Sequence, residues 1–105
     1  MAEYELIETT DFEKSFNKLP IQIKERFKIQ FNNLKDDPYS QGKPLGYKRF
    51  RELKNDAYRV YYLVYDNEII VLFVGVSDKK DQQEVIDVVK NNIEVFKNFI
   101  ENRNY

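Results

Sequence analysis

The apolar residues of this chain change their spacing three times, from alternating at the start to helical, then to alternating in the middle and back to helical at the end. Residues 3–9 alternate and predict a short first strand. Thr10 or Asp11 then offers an N-cap for a helix. The apolar face of that helix consists of residues at positions i, i+4 and i+7: Phe12, Phe16 and Leu19.

Pro20 separates this helix from a second one, because proline ends a helix but fits the first turn of the next. Helical spacing then continues to Leu34. The two helices predict a hairpin whose apolar stripe can cover a sheet. Residues 39–47 contain two glycines and a proline. They predict a loop, a kind of segment that often carries function.

Three segments with strand spacing follow the loop: residues 49–54, 58–65 and 68–77. Short connections join them, including a two-residue turn at Asp66-Asn67 that tolerates positive φ. Such connections predict an antiparallel meander. The third segment is apolar on both faces, which predicts a central or doubly covered strand.

A single long helix is predicted from Asp78 or Asp81 to about Arg103, with an apolar stripe wider than a one-sided surface helix needs. The element order β-α-α-β-β-β-α indicates an α+β fold. In it, a helical hairpin and a C-terminal helix surround a small, mainly antiparallel sheet. At 105 residues, we expect one domain spanning residues 1–105.

The composition excludes several kinds of chemistry. The chain contains no cysteine and no histidine. Disulfides, thiolate catalysis, zinc sites and histidine-based acid–base catalysis are therefore excluded. We expect no metal site and no cofactor. The first residues lack the features of a secretory signal, and the longest apolar run is too short for a bilayer. We expect a cytoplasmic protein that enters no membrane.

The charge of the chain is unevenly distributed, although its net charge is only −1. Residues 43–59 carry six lysines and arginines against two acidic residues, whereas residues 81–105 carry three against five. Because a buried, unpaired guanidinium is costly, we expect Arg51, Lys54 and Arg59 to present a charged face to solvent or a ligand. A phosphate chain suits such a face. The alternative is a sheet edge protected against aggregation by its basic residues.

Four segments carry a family resemblance: Lys43–Leu45, Phe50–Lys54, Tyr58–Tyr62 and Val76–Val85. Together with the opening strand and the helical hairpin, they make the chain similar to the RelE/ParE toxin superfamily, the toxic halves of prokaryotic toxin–antitoxin pairs. Tyr-Arg-Val-x-Tyr and a later Lys-Lys-x-x-x-Glu-Val are moderately specific in combination. The resemblance implies the RelE-like form of the fold described above.

Within the RelE branch, the resemblance implies a ribosome-dependent endoribonuclease, an mRNA interferase that inhibits translation. A base removes the proton of a ribose 2′-hydroxyl, the oxygen attacks the adjacent phosphorus, and an acid protonates the leaving 5′-oxygen. Cations stabilise the extra negative charge on the pentavalent phosphate. This chemistry requires no metal.

The resemblance assigns catalytic roles to four residues. Arg59 would hold the scissile phosphate, and Lys80 would stabilise the transition state. The preceding strand supplies Glu52 as a candidate base and Lys54 as a further cation. The alternative for Glu52 is an ion pair with Arg59 or Arg51. Further candidates for RNA binding are the nearby basic residues: Lys43, Lys48, Arg49, Arg51 and Lys79.

The catalytic roles require Arg59 and Lys80 to converge in one concave, water-facing hollow. One position departs from the RelE pattern, because Ile86 occupies the place of a tyrosine that stacks on a base or acts as the acid. The candidates to replace that tyrosine are Tyr105, Tyr61 and Tyr47.

This departure and the acidic C-terminal helix leave two other functions open. A ParE-like protein would poison DNA gyrase without cutting nucleic acid. A catalytically attenuated relative would be kept for antitoxin binding. In every case the resemblance implies a cognate RelB-like antitoxin whose amphipathic helix packs on the toxin, and it allows a heterotetramer with that partner. A nuclease would also bind mRNA on the ribosome.

Overall fold

A computed structural model describes residues 3–103 and confirms the predicted α+β fold. Tyr105, one of the candidates for the missing tyrosine, lies outside the described residues. The strands and helices are β1 (Glu5–Glu8), α1 (Thr10–Asn17), α2 (Ile21–Leu34), β2 (Lys43–Pro44), β3 (Phe50–Asn55), β4 (Tyr58–Tyr65), β5 (Ile70–Asp78), α3 (Gln82–Asn91) and α4 (Ile93–Asn102).

The strands form one mixed sheet in the order β1-β5-β4-β3-β2. The predicted antiparallel meander of β3, β4 and β5 is confirmed, and β5 is central because β1 pairs with its other edge in parallel. The prediction that residues 39–47 form only a loop is wrong. Within that segment, Lys43 and Pro44 pair with Glu52 and Arg51 as the short edge strand β2.

Helices cover both faces of the sheet, and β4 shows why. Its side chains alternate between the two faces, as they must in a strand. Val60, Tyr62 and Val64 pack in the core under α1 and α2. Tyr61 and Leu63 point the other way, into the core shared with α3 and α4. The sheet is therefore the middle layer, and each face has its own apolar core.

The core under the helical hairpin is built from phenylalanines. The predicted helical face of α1 places Phe12 and Phe16 in this core, where their rings stack with centroids 5.3 Å apart. The ring centre of Phe31 in α2 lies 4.3 Å from that of Phe73 in β5, so this contact packs the hairpin against the sheet. The N-cap of α1 is Thr9, one residue before the predicted candidates, and its Oγ1 accepts a hydrogen bond from the backbone of Phe12.

The prediction of a single C-terminal helix is wrong, because the helix is interrupted at Asn92. Asn92 has φ −118°, outside the helical range, and its side-chain amide donates to the carbonyl of Val88 at 2.7 Å. Asparagine competes in this way for the backbone acceptors that would continue a helix. The break explains the wide apolar stripe, since α3 and α4 each present a separate face to the sheet.

Positive φ angles occur in both hairpin connections. Asp56 adopts φ 52° in the two-residue turn between β3 and β4. The second connection spans residues 66–69 rather than the predicted Asp66-Asn67, and Ile69 adopts φ 58° there. A β-branched residue in this conformation is strained, because its side chain crowds the backbone.

Ile69→Asn should therefore stabilise the protein by about 1 kcal/mol, since asparagine tolerates the left-handed conformation. The free energy of unfolding from urea titration would show the gain. Ile69→Val is the matched control, because it keeps the β-branch and should give no gain. Equal stabilities for the asparagine variant and the wild type would contradict strain at this position.

Candidate functional site

The pairing of β3 with β4 brings three of the predicted catalytic residues together. Lys54 lies directly opposite Arg59, and Glu52 lies opposite Tyr61, two residues away on the same face of the sheet. Directly opposed residues of an antiparallel pair have their side chains on the same side. Glu52, Lys54 and Arg59 therefore share the face covered by α3 and α4.

Arg59 is buried against Glu52, whereas Lys80 lies in an exposed loop, so the predicted convergence of the two residues in one water-facing hollow is wrong. Its Nε lies 3.6 Å from Oε1 of Glu52, and the two side chains are only 8% and 6% exposed. Nε and Nη1 are both buried and have no hydrogen-bond partner. Such donors are rare in folded proteins, and they occur where a ligand, water or ion completes the bonding.

Glu52 is held from a second side by the first residue of α3. Nε2 of Gln82 donates to Oε1 of Glu52 at 2.6 Å. The ion pair considered for Glu52 is thus formed with Arg59, whereas Arg51 lies on the other face of β3. The Gln82 contact was missed by the sequence analysis, because nothing in the Lys-Lys-x-x-x-Glu-Val segment singles out this glutamine.

Tyr61 completes the buried cluster behind Arg59. Its hydroxyl forms a hydrogen bond of 2.8 Å with Oγ of Ser77, the residue opposite Arg59 on β5. Burial raises the pKa of Tyr61 to about 12. This phenol therefore keeps its proton at neutral pH, but it lies below the surface. We refer to Glu52, Arg59, Tyr61, Ser77 and Gln82 as the Glu52–Arg59 cluster.

The other replacements for the missing tyrosine lie away from this cluster. Ile86 is buried in the core beneath α3, as an apolar residue there should be. Tyr47 packs its ring against Phe50, with centroids 6.0 Å apart, and lines a mostly apolar hollow of about 290 Å³ with Arg49 and Lys97. That hollow is closed on another side by Tyr65, at the end of β4 remote from Arg59.

A hollow of about 380 Å³ opens between α2, β3 and the segment that precedes β3, and its lining includes Gln30 and Leu53 as well as Glu52. Lys43 and Lys54 line it together with Glu52, so two of the predicted cations meet there. Lys43 stands directly across from Glu52 in the β2–β3 pair. Two lysines and one glutamate thus contribute to the lining of this hollow.

Lys79 and Lys80 lie in the exposed loop between β5 and α3. The carboxylate of Asp78 accepts the backbone N–H groups of Lys80 at 2.7 Å and Asp81 at 3.1 Å, which fixes the loop. These hydrogen bonds hold the pKa of Asp78 below its ordinary value. The loop leads directly into Gln82, so its backbone adjoins the Glu52–Arg59 cluster while the lysine side chains remain at the surface.

Three of the predicted RNA-binding residues point elsewhere. Arg51 is buried on the opposite face of β3, where it binds backbone carbonyls, so its predicted exposure is wrong. The Nζ of Lys48 lies 4.5 Å from the centre of the Tyr39 ring. Arg49 lies 3.6 Å from a carboxylate oxygen of Asp66. These residues do not join Arg59.

Two further features of residues 3–103 bear on function. No group of three or more acidic side chains in this range is placed to hold a metal ion. None of the helices in the same range has the length and apolar character needed to cross a membrane.

Burial also raises the pKa of Tyr62 to about 12, which predicts a loss of stability at alkaline pH. Unfolded tyrosine ionises near pH 10, so between about pH 10 and 12 the unfolded state binds fewer protons than the folded state. The free energy of unfolding should fall as pH rises through that range. Below about pH 10, Tyr62 is protonated in both states, so its ionisation should not change the free energy of unfolding. Urea titrations of wild type and Tyr62→Phe from pH 8 to 12 would show a shallower fall in the variant. Identical slopes would contradict the assignment.

The comparison with known families agrees with the fold. The sequence model of the family described as ParE toxin of type II toxin–antitoxin systems matches residues 6–83 of this chain. The chain therefore belongs to the RelE/ParE superfamily of toxins from type II toxin–antitoxin systems, which confirms the predicted resemblance. No curated protein matches the chain by sequence.

Solved structures show the same fold. The isolated Escherichia coli RelE toxin superimposes with a TM-score of 0.67 at 22% identity, over 84% of this chain and 97% of that one. The intact E. coli RelBE toxin–antitoxin complex superimposes with a TM-score of 0.64 at 23% identity, over 71% of this chain and 95% of that one. The Mycobacterium tuberculosis RelBE2 toxin–antitoxin complex superimposes with a TM-score of 0.62 at 26% identity, over 74% of this chain and 93% of that one.

Proposed function

We propose that this toxin is an endoribonuclease that cleaves mRNA on the ribosome by 2′-hydroxyl transesterification, without a metal. The observation that supports it most strongly is the guanidinium of Arg59, which is buried beside a carboxylate with Nε and Nη1 unpartnered. Unpaired donors on a buried cation can be satisfied by the oxygens of a phosphate group. A cation and a base in contact are what transesterification at phosphorus requires.

Cleavage requires the Glu52–Arg59 contact to open when RNA binds, because Arg59 is buried in this structure. At 3.6 Å, the separation of Nε and Oε1 exceeds that of a charge-assisted hydrogen bond. A phosphate oxygen can therefore replace the carboxylate against Arg59 without breaking a well-formed bond. Glu52, released from Arg59, then lies beside the same phosphate and can accept the proton of the 2′-hydroxyl.

The remaining steps use the exposed lysines. Lys54 lies opposite Arg59 and faces solvent, so its ammonium group is available to protonate the leaving 5′-oxygen. Lys80 supplies a further positive charge from the loop that enters α3. The products are a 2′,3′-cyclic phosphate and a free 5′-hydroxyl, because the 2′-oxygen forms the new bond to phosphorus as the 5′-oxygen leaves.

The function also requires a partner that keeps the toxin inactive. RelE occurs with RelB in the E. coli complex and in the related complex from M. tuberculosis. We infer a RelB-like antitoxin for this chain, with a heterotetramer as one assembly. Exposed apolar residues on the outer side of α3 and α4 suit the amphipathic helix of such a partner: Val88, Val95 and Phe99. A ribosomal target would place the protein in the cytoplasm.

A ParE-like gyrase poison is the second candidate, and a specific observation favours it. Glu52 is engaged by both Gln82 and Arg59, and Ile86 gives no aromatic group beside the cluster. A site closed in this way would serve binding rather than cleavage. The same closure would suit the third candidate, an attenuated relative kept for antitoxin binding.

The test is a pair of assays on the purified toxin. Ribosomes programmed with a defined mRNA should yield a cut message, and DNA gyrase should supercoil DNA normally in the presence of the toxin. Intact mRNA with inhibited supercoiling would overturn the proposal in favour of the gyrase poison. No effect in either assay, together with unchanged growth on expression, would favour the attenuated relative.

A further inference from the structure

The segment before β3 is fixed by one buried arginine. The side chain of Arg51 is among the buried charged groups, with 8% of the residue exposed. Its guanidinium donates to four backbone carbonyls at 3.1–3.4 Å: those of Tyr39, Gln41, Gly42 and Lys48. Each of these acceptors belongs to residues 39–48, so one side chain gathers both ends of that segment.

The bonding of Arg51 differs from that of Arg59 on the other face. Among residues 3–103, Arg51 has no carboxylate within ion-pair distance, and its charge is compensated by carbonyl dipoles. A buried cation in this position is costly unless all of its donors are used. The planar fork of arginine can serve several carbonyls at once, whereas a lysine ammonium would serve fewer with a different geometry.

Tyr62 and Gly42 tighten the same arrangement. The Tyr62 hydroxyl lies 2.9 Å from the carbonyl oxygen of Pro38 and 3.0 Å from that of Gln41. Gly42 has φ 81°, and a Cβ there would lie 2.7 Å from the Tyr62 hydroxyl. The guanidinium carbon of Arg51 lies 5.6 Å from the centre of the Tyr39 ring. The segment therefore has little freedom to move.

The fixed segment ends in β2, and its register determines where Lys43 stands. Pro44 pairs with Arg51, and Lys43 pairs with Glu52. Lys43 consequently lies on the same face as Glu52 and lines the hollow of about 380 Å³. Arg51 does not line the hollow, but it binds the carbonyls of Gln41 and Gly42, which do, so it acts on the hollow through the backbone of residues 39–48.

We propose that Arg51 is a positioning residue, which fixes residues 39–48 so that Lys43 stands in the hollow and binds an RNA phosphate. This inference rests on the proposed function for the RNA, but the fixing of the segment can be measured without RNA. Arg51 thus acts through the backbone of residues 39–48, and Lys43 makes the contact.

The test compares Arg51→Lys, which keeps the charge but loses the fork, with Lys43→Ala and the double variant. Hydrogen exchange of residues 39–48 should accelerate at least tenfold in Arg51→Lys and stay unchanged in Lys43→Ala, since the hydrogen bonds of buried backbone are what slow exchange. Amides of β4 and β5 report global unfolding in the same samples. Arg26→Lys, an exposed arginine of α2, is the matched control and should change nothing.

Binding of a single-stranded oligoribonucleotide supplies the second readout. Arg51→Lys and Lys43→Ala should each weaken binding about tenfold and lower the slope of log K against log salt by about 1, as expected for one lost phosphate contact. The double variant should bind no more weakly than either single variant. Cleavage by Arg51→Lys should show a raised KM with kcat unchanged.

Additive losses in the double variant, or unchanged exchange in Arg51→Lys, would overturn the inference. Failure of the proposed function looks different. In that case the wild type would neither bind nor cleave RNA, and hydrogen exchange alone would decide whether Arg51 fixes the segment.

Discussion

Arg59→Ala is expected to lower the rate of mRNA cleavage on programmed ribosomes by about 10²–10³-fold, the usual cost of removing a preorganised donor to a charged transition state. Two nitrogens of the guanidinium are buried and have no hydrogen-bond partner, so we expect phosphate oxygens to accept from them once RNA binds. Single-turnover cleavage at saturating toxin measures the chemical step directly. Arg59→Lys should recover part of the activity, because it restores the charge without the fork.

The loss must be separated from unfolding, since removing one member of a buried ion pair costs about 3–5 kcal/mol. The double variant Arg59→Met with Glu52→Leu removes both charges and should be about as stable as the wild type or more stable, yet inactive. Arg26→Ala removes an exposed arginine and should leave cleavage unchanged. Wild-type cleavage by a folded Arg59→Ala protein would show that Arg59 is a structural residue only.

Glu52→Gln is expected to have opposite effects on cleavage and on binding. Cleavage should fall by about 10²–10⁴-fold, the usual contribution of a positioned general base. Binding of a non-cleavable RNA should become tighter, because the variant removes a negative charge that now lies 3.6 Å from Arg59. Glutamine keeps the shape of the side chain and can still accept from Gln82. Single-turnover kinetics and equilibrium binding of 2′-deoxy RNA measure the two effects separately.

Glu25→Gln is the matched control for this pair of effects, because Glu25 is exposed on α2 and undergoes the same change of charge. It should alter neither quantity. If Glu52→Gln weakens binding and cleavage together, Glu52 organises the site rather than acting as the base. If it tightens binding without slowing cleavage, the base is another group.

Much of the fold was predictable from local patterns. Alternation set the bounds of β4 at Tyr58–Tyr65, and helical spacing placed Phe12 and Phe16 in the core. The failures occurred where one residue overrides a periodic pattern. Asn92 interrupts an apolar stripe that continues on both sides of it. The short strand β2 was missed because it has only two residues, too few for alternation to show.

The sequence was enough to predict which candidate residues share one face of the sheet. It was not enough to predict that Arg59 is buried. The alternation of β3 correctly separates Glu52 and Lys54 from Arg51. Arg59 was expected at the surface because a charged side chain usually avoids burial. The structure instead places it between Glu52 and the neighbouring strand β5, next to the start of α3. Such burial depends on how β3, β5 and α3 meet, which no local pattern records.

Cleavage by the Glu52–Arg59 cluster through the ribose 2′-hydroxyl requires that hydroxyl at the cleavage position. The most direct measurement uses ribosomes programmed with two mRNAs that differ only by one 2′-deoxynucleotide at the cleavage position. The all-ribose message should be cut to a 2′,3′-cyclic phosphate and a 5′-hydroxyl, and the substituted message should stay intact at that position. Equal cleavage of both messages, or no cleavage of either by a folded toxin that inhibits gyrase, would contradict the account.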